Sequence, residues 1–132
     1  MSKNADIVKD WLELAYSDLE MAEIAAEKNK YMHCGFHLQQ SLEKAIKGLI
    51  IKLNNKQPPY IHDLLRLSDE ISKTFPEIQK YTKLLSAINP FYIKARYPSY
   101  KKKISSTLTQ QTIENYLQKT KEVINCIEQK IQ

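Results

Sequence analysis

Glycine is scarce in this chain: two residues in 132, alongside five prolines. Tight reversals depend heavily on those two residue types, so the repeated turns of a sheet protein have little to form from. No Asn-Gly hairpin signal occurs, and no polar–apolar alternation is sustained. The two cysteines, Cys34 and Cys126, are far apart and lack metal-knuckle spacing. They read as buried free thiols in a reducing compartment, which sets aside a disulfide framework. No apolar run approaches the roughly 20 residues that cross a bilayer, and Met1–Asp10 does not read as a signal peptide. The expectations are no membrane partner and a cytoplasmic location. There is also no glycine-rich phosphate loop, and no serine or cysteine has a base at a useful spacing.

Acidic residues are missing from one long stretch. Between Ile78 and Ile113 stand Lys80, Lys83, Lys94, Arg96, Lys101, Lys102 and Lys103, and no Asp or Glu. The net charge of the chain is +5, so the remainder sums to −2. A basicity confined to one segment points to a local anionic partner rather than a generally adhesive surface.

What the chain has in quantity is helical periodicity, in a length that suits one domain over residues 1–132. Phe36–Ile51, FHLQQSLEKAIKGLII, is its centre. At about 100° per residue, Leu38, Leu42, Ala45, Ile46, Leu49 and Leu53 fall in one apolar sector. Gln40, Lys44 and Lys47 fall opposite, with Gln39 and Glu43 at the border. The polar stripe reads either as a solvated face with a Glu43–Lys47 pair or as one wall of a site. The first helix is expected from Asp6 to Lys28, with Ile7, Trp11, Ala15, Ala22 and Ala25 on its apolar face and Asn29 as a left-handed cap. Asp18 falls inside that face, where a carboxylate requires a partner.

The second helix is expected over Met32–Asn54, and Asn54–Tyr60 is a proline-bearing loop. His62 or Asp63 can then cap a short helix. A fourth helix follows Pro76 until Asn89-Pro90, and a last one starts near Thr109, burying Ile113, Tyr116, Leu117, Thr120, Ile124, Ile127 and Ile131. The resulting fold class is all-α: an antiparallel up-and-down bundle of four main helices plus one short helix.

Pro90–Lys103, PFYIKARYPSYKKK, interleaves Phe91, Tyr92, Tyr97 and Tyr100 with Lys94, Arg96 and three lysines. Aromatic rings stack on bases while Lys and Arg hold phosphates, or the same aromatics pack on the end of the bundle. His33 and His37, at i,i+4, have a spacing that can hold zinc on one helix face, but no acid or cysteine at matching offsets completes a site. Neither a metal nor a cofactor is expected.

Four motifs, AYSDLEMA, FHLQQSLEKAIKGLI, IHDLLRL and INPFYIKARYP, are similar in content and order to the HEPN family, the higher-eukaryote and prokaryote nucleotide-binding domain. The resemblance spans about Ile7 to Tyr116. It implies a helical bundle like the substrate-binding domains of nucleotidyltransferases, one that usually forms a homodimer. It also implies frequent pairing with a small nucleotidyltransferase in a two-component, toxin–antitoxin-like module. Carried over by motif, the ligand-binding residues are Gln40, Glu43, Lys44, Lys47, His62, Lys94, Arg96 and Tyr97, with Pro98 beside them.

Ribonuclease members of the family carry a histidine four to six residues after the arginine. Here positions 101 to 103 are lysines, and no histidine follows His62. A lysine near pKa 10 is a poor base at neutral pH, so hydrolysis by the family mechanism is not expected. Three functions follow: a module binding a nucleotide or RNA phosphate, a divergent ribonuclease using Arg96 with His62 or Tyr100, and a structural helical dimer or adaptor.

Overall fold

A pair of long antiparallel helices forms the spine of the molecule, a computed structural model that describes residues 2–94 and 108–132. α1 is Ser2–Glu27 and α2 is Tyr31–Asn54. Asn29 reverses the chain between them with φ 59°. The amides of Asn29 and Lys30 donate to the carbonyls of Ala26 and Ala25 at 3.0 and 2.8 Å. Those two bonds satisfy the carbonyls that end α1, as the left-handed cap requires.

Small residues let the two helices approach closely. Ala15 and Ala22 are fully buried on α1, and Ser41 of α2 donates from Oγ to the Ala15 carbonyl at 2.6 Å. A Cβ on Gly48 would stand 3.1 Å from Cβ of Trp11, so a side chain there would require Trp11 to give by a few tenths of an ångström. The buried line of α1 is Val8, Ala15, Leu19 and Ala22. Ile7, expected on that face, is instead exposed. Ala15 and Ala22 are buried as expected, and only at the N-terminal end does Val8 take the place expected for Ile7.

After α2 the chain turns through Asn55 in the left-handed region, φ 51°. α3, Leu64–Asp69, is capped by Asp63, whose Oδ1 accepts from the amides of Leu65 and Arg66. The segment expected as one fourth helix is divided. Pro76–Tyr81 is a 3₁₀ helix and α4 is Thr82–Ile88, with Tyr81 near φ −104°, ψ 8° at the joint. α5, Phe91–Lys94, is one turn, and α6 is Gln110–Ile131, capped by Thr109.

Among the described residues there is no strand, and none of the helices is long and apolar enough to cross a membrane. The fold is an all-α helical bundle. Its core gathers Leu38, Leu42, Ala45, Ile46 and Leu49 of α2 with Leu64, Leu67, Leu85 and Ile88, and with Ile113, Val123, Ile124 and Ile127 of α6. Tyr116, Leu117 and Ile131 lie at its margin rather than within it, as does Leu53 of α2.

Candidate functional site

The border and polar residues of α2 do not form a solvated stripe. Glu43 is 4% exposed and Lys47 6%, while Gln39 is fully buried. Lys47 Nζ meets Glu43 Oε2 at 3.0 Å, one turn along the helix. The ammonium also stands 5.9 Å from the centroid of the Trp11 ring, an attractive position for a cation. Gln39 Nε2 donates to Glu43 Oε1 at 3.2 Å and to the His62 carbonyl at 2.8 Å. Gln40 Nε2 donates to Gln39 Oε1 at 2.7 Å. A buried ion pair is tolerable only when its remaining lone pairs and protons are engaged in this way.

His62 completes the cluster from outside α2. Its Nδ1 lies 3.0 and 3.1 Å from the two carboxylate oxygens of Glu43. A carboxylate can only accept, so Nδ1 carries a proton toward Glu43, and in the neutral ring Nε2 presents a lone pair. The His62 side chain is 45% exposed, and among the described residues Nε2 has no hydrogen-bond partner. The ring stacks on Tyr92 of α5, with centroids 4.0 Å apart and planes 18° from parallel.

Two features hold this loop. The Asp63 cap starts α3 directly after His62. Asn89, at the end of α4, accepts from the Leu64 amide at 2.8 Å and donates to Asp63 Oδ1 at 3.1 Å. The expectation for Asn89-Pro90 was that it kinks or ends the helix; the cross-brace to α3 is additional, and sequence spacing carried no signal of it.

A second cluster lies between α1 and α2. Asp18 Oδ1 meets His37 Nδ1 at 2.9 Å, and Asp18 Oδ2 accepts from Lys44 Nζ at 2.5 Å. The partner that Asp18 was expected to need is thus a pair of cationic or protic groups on the neighbouring helix. His37 is engaged with a carboxylate, and His33 is exposed. Among the described residues no group of His, Cys, Asp and Glu has the arrangement of a metal site.

Tyr16 donates from its hydroxyl to Glu128 of α6, and burial, that bond and the nearby charge push its pKa up to about 12. Burial alone pushes the Cys34 thiol up to about 12. Cys34 is buried and Cys126 half-buried, and both are free.

Of the residues singled out in the sequence, Glu43, Lys47 and His62 come together directly, and Gln40 joins them through Gln39. Lys44 belongs to the Asp18 cluster. Arg96, Tyr97, Tyr100 and the lysines at 101–103 lie outside the described residues, as does the side chain of Lys94. Gln39, Trp11 and Tyr92 are cluster members that were not assigned there. Gln39 was readable as a neighbour of Glu43 at i,i+4, whereas the Tyr92 contact depends on how α5 meets the loop before α3.

A family model described as HEPN domain matches residues 8–130. No curated protein sequence matches the chain significantly. Among solved structures, the crystal structure of TT1696 from Thermus thermophilus superposes with a TM-score of 0.78 at 24% identity. The superposition covers 93% of this chain and 97% of that one, and it establishes likeness of fold.

Proposed function

The chain belongs to the HEPN family, and from that premise we propose that it binds RNA or a nucleotide beside His62 and Tyr92, with the basic residues that follow Tyr92 in the sequence. The carrying observation is the His62 imidazole, fixed through Nδ1 by a buried carboxylate and braced against the Tyr92 ring. With the ring neutral, Nε2 is an acceptor suited to a ribose hydroxyl or a base amino group. Phosphate charge requires cations, and the first ones after Tyr92 in the chain are Lys94 and Arg96, with Tyr97 following. Lys44 and Gln40, both half-buried on α2, lie one turn apart on the same helix as Glu43 and Lys47.

Titration of a fluorescent short RNA into the wild type, Arg96→Ala and His62→Ala tests this. Arg96→Ala is expected to weaken binding about tenfold and to lower the log–log salt slope by about 0.7, the value for one phosphate contact on a single strand. At a pH where the imidazole is neutral, His62→Ala is expected to weaken binding several-fold with the slope unchanged. Equal affinity in all three proteins, or none in the wild type, overturns the proposal.

The Glu43–His62 pair also supports a second reading. A histidine oriented through Nδ1 by a carboxylate resembles a general base, so a divergent ribonuclease would use Arg96 for phosphate charge and His62 or Tyr100 for the proton. Incubation with total RNA, with Arg96→Ala as control, separates the two: cleavage above the control favours the enzyme. The finer family reading is a homodimer working beside a small nucleotidyltransferase in a toxin–antitoxin-like module. Its test is co-expression with the neighbouring reading frame, and failure to co-purify with a nucleotidyltransferase removes it.

A further inference from the structure

Four of the six exposed large hydrophobic side chains among the described residues sit on α1. They are Ile7, Leu14, Met21 and Ile24, each between 38 and 49% exposed. Ile7, Leu14 and Met21 recur every seven residues, as in a helix-pairing seam, and Ile24 follows Met21 by three, while the equivalent positions after Ile7 and Leu14 are Asp10 and Ser17. The seam runs one residue behind the buried line Val8–Ala15–Ala22, so it is turned away from the core by about 100°. It extends over about 26 Å of helix at 1.5 Å per residue.

A second periodic line runs beside it. Asp6, Glu13, Glu20 and Glu27 each precede a seam position or its heptad equivalent, and all four are exposed. None has an ion-pair partner among the described residues, whereas Glu23 is held by Lys121 of α6 at 3.5 Å. As a whole α1 carries seven acids against two lysines.

We propose that this face of α1 is a docking surface for a helix of another protein, one with an apolar seam flanked by Lys or Arg at seven-residue intervals. Charge excludes the simplest alternative. In a parallel pairing of two copies, the acidic line would face Asn4, Trp11, Asp18 and Ala25, which include no base. In an antiparallel pairing it would face itself, acid against acid. Like charges across such a seam select against the pairing, so the surface is built for a basic partner rather than for a second copy. The binding of nucleotide or RNA proposed above uses α2, α5 and the loop before α3, and the two proposals stand independently.

The test uses the full chain and two synthetic heptad-repeat helices with identical leucine seams, one flanked by lysine and the other by glutamate. Fluorescence anisotropy is expected to show binding of the lysine helix only. Leu14→Glu with Met21→Glu should weaken it by at least about tenfold, consistent with burying unpaired charge in a seam. Glu13→Gln with Glu20→Gln should weaken it several-fold and flatten its salt dependence, while circular dichroism reports an unchanged fold. Failure of the lysine helix to bind, or equal binding by wild type and both variants, overturns the proposal. So does sedimentation showing a dimer of the wild type that Leu14→Glu with Met21→Glu dissociates, because the occupant would then be a second copy.

Discussion

Asp18 and Glu43 each hold one lysine and one histidine, and in both clusters the histidine meets the carboxylate through Nδ1. The two differ in where the partners come from and in how much water reaches them. Asp18 is on α1 and both of its partners are on α2, so its cluster fastens two helices that already pack along their length. About a quarter of the His37 and Lys44 side chains is exposed. Glu43 and Lys47 lie on the same helix, almost wholly buried, and the histidine arrives from a loop. A carboxylate, a lysine and a histidine therefore make a brace in one place and a supported, outward-facing imidazole in the other. Solvent access decides which.

The largest expected effect comes from breaking the inner cluster on one side. Glu43→Ala leaves the Lys47 ammonium buried without its carboxylate and should cost about 3–5 kcal/mol, read from urea unfolding. Replacing both partners, Glu43→Leu with Lys47→Met, should restore most of that stability, because a well-packed apolar pair is often neutral relative to a buried ion pair. Nucleic-acid binding should remain lost in the double variant, since His62 no longer has its orienting carboxylate. Recovery of binding together with stability would show that Glu43 serves packing alone.

The outer cluster should respond more weakly. Asp18→Asn is expected to cost about 1 kcal/mol or less, the range for a partly solvated pair. A loss as large as that of Glu43→Ala would erase the distinction between brace and site. Smaller still is the effect at Thr120, a fully buried residue of α6 whose hydroxyl lacks a partner among the described residues. Thr120→Val should raise stability by about 0.5–1 kcal/mol, as the unsatisfied group is removed without changing shape.

Cys34 offers a pH-dependent contrast on α2: a buried group without a charged partner, which stays neutral. Its pKa rises from 9.0 to about 12 on burial. Below pH 9 the folded and unfolded chains both carry the thiol, and its contribution to stability is fully present. Between pH 9 and about 12 only the unfolded chain ionises, so stability falls as pH rises through that window. Alkylation at pH 8 should modify Cys126 at least about a hundredfold faster than Cys34 in the native protein, as read by mass spectrometry.

The scaffold was readable in the residues because it rests on local rules. Asn29 and Asp63 cap where their chemistry predicts, and the Leu38–Leu49 sector of α2 is the buried one. Reading was less secure at the start of the first helix. On α1 Ala15 and Ala22 are buried as expected, but Ile7 is exposed and its neighbour Val8 is buried instead. The polar stripe of α2 was read as a choice between solvent and site because burial is decided by elements distant in sequence: Trp11 covers Lys47, and the His62 loop covers Glu43. The grouping of Gln40, Glu43, Lys47 and His62, which the structure joins by hydrogen bonds, was stated by resemblance as part of a ligand-binding set. The place of Lys44 beside Asp18 was not, since nothing in the spacing of α2 tells which neighbour its ammonium will meet.

Gly35 gives the inner cluster an unexpected dependency. A methyl group added there would fall 2.6–2.8 Å from three carbons of the Phe91 ring, closer than such atoms approach. The single turn bearing Tyr92 therefore sits where it does because one position on α2 has no side chain. An alanine at that position would lift Phe91 outward and draw the phenol ring off the imidazole. His62 would keep its carboxylate and lose its backing, so a change buried beneath α5 would be felt first in the exposed imidazole at the surface.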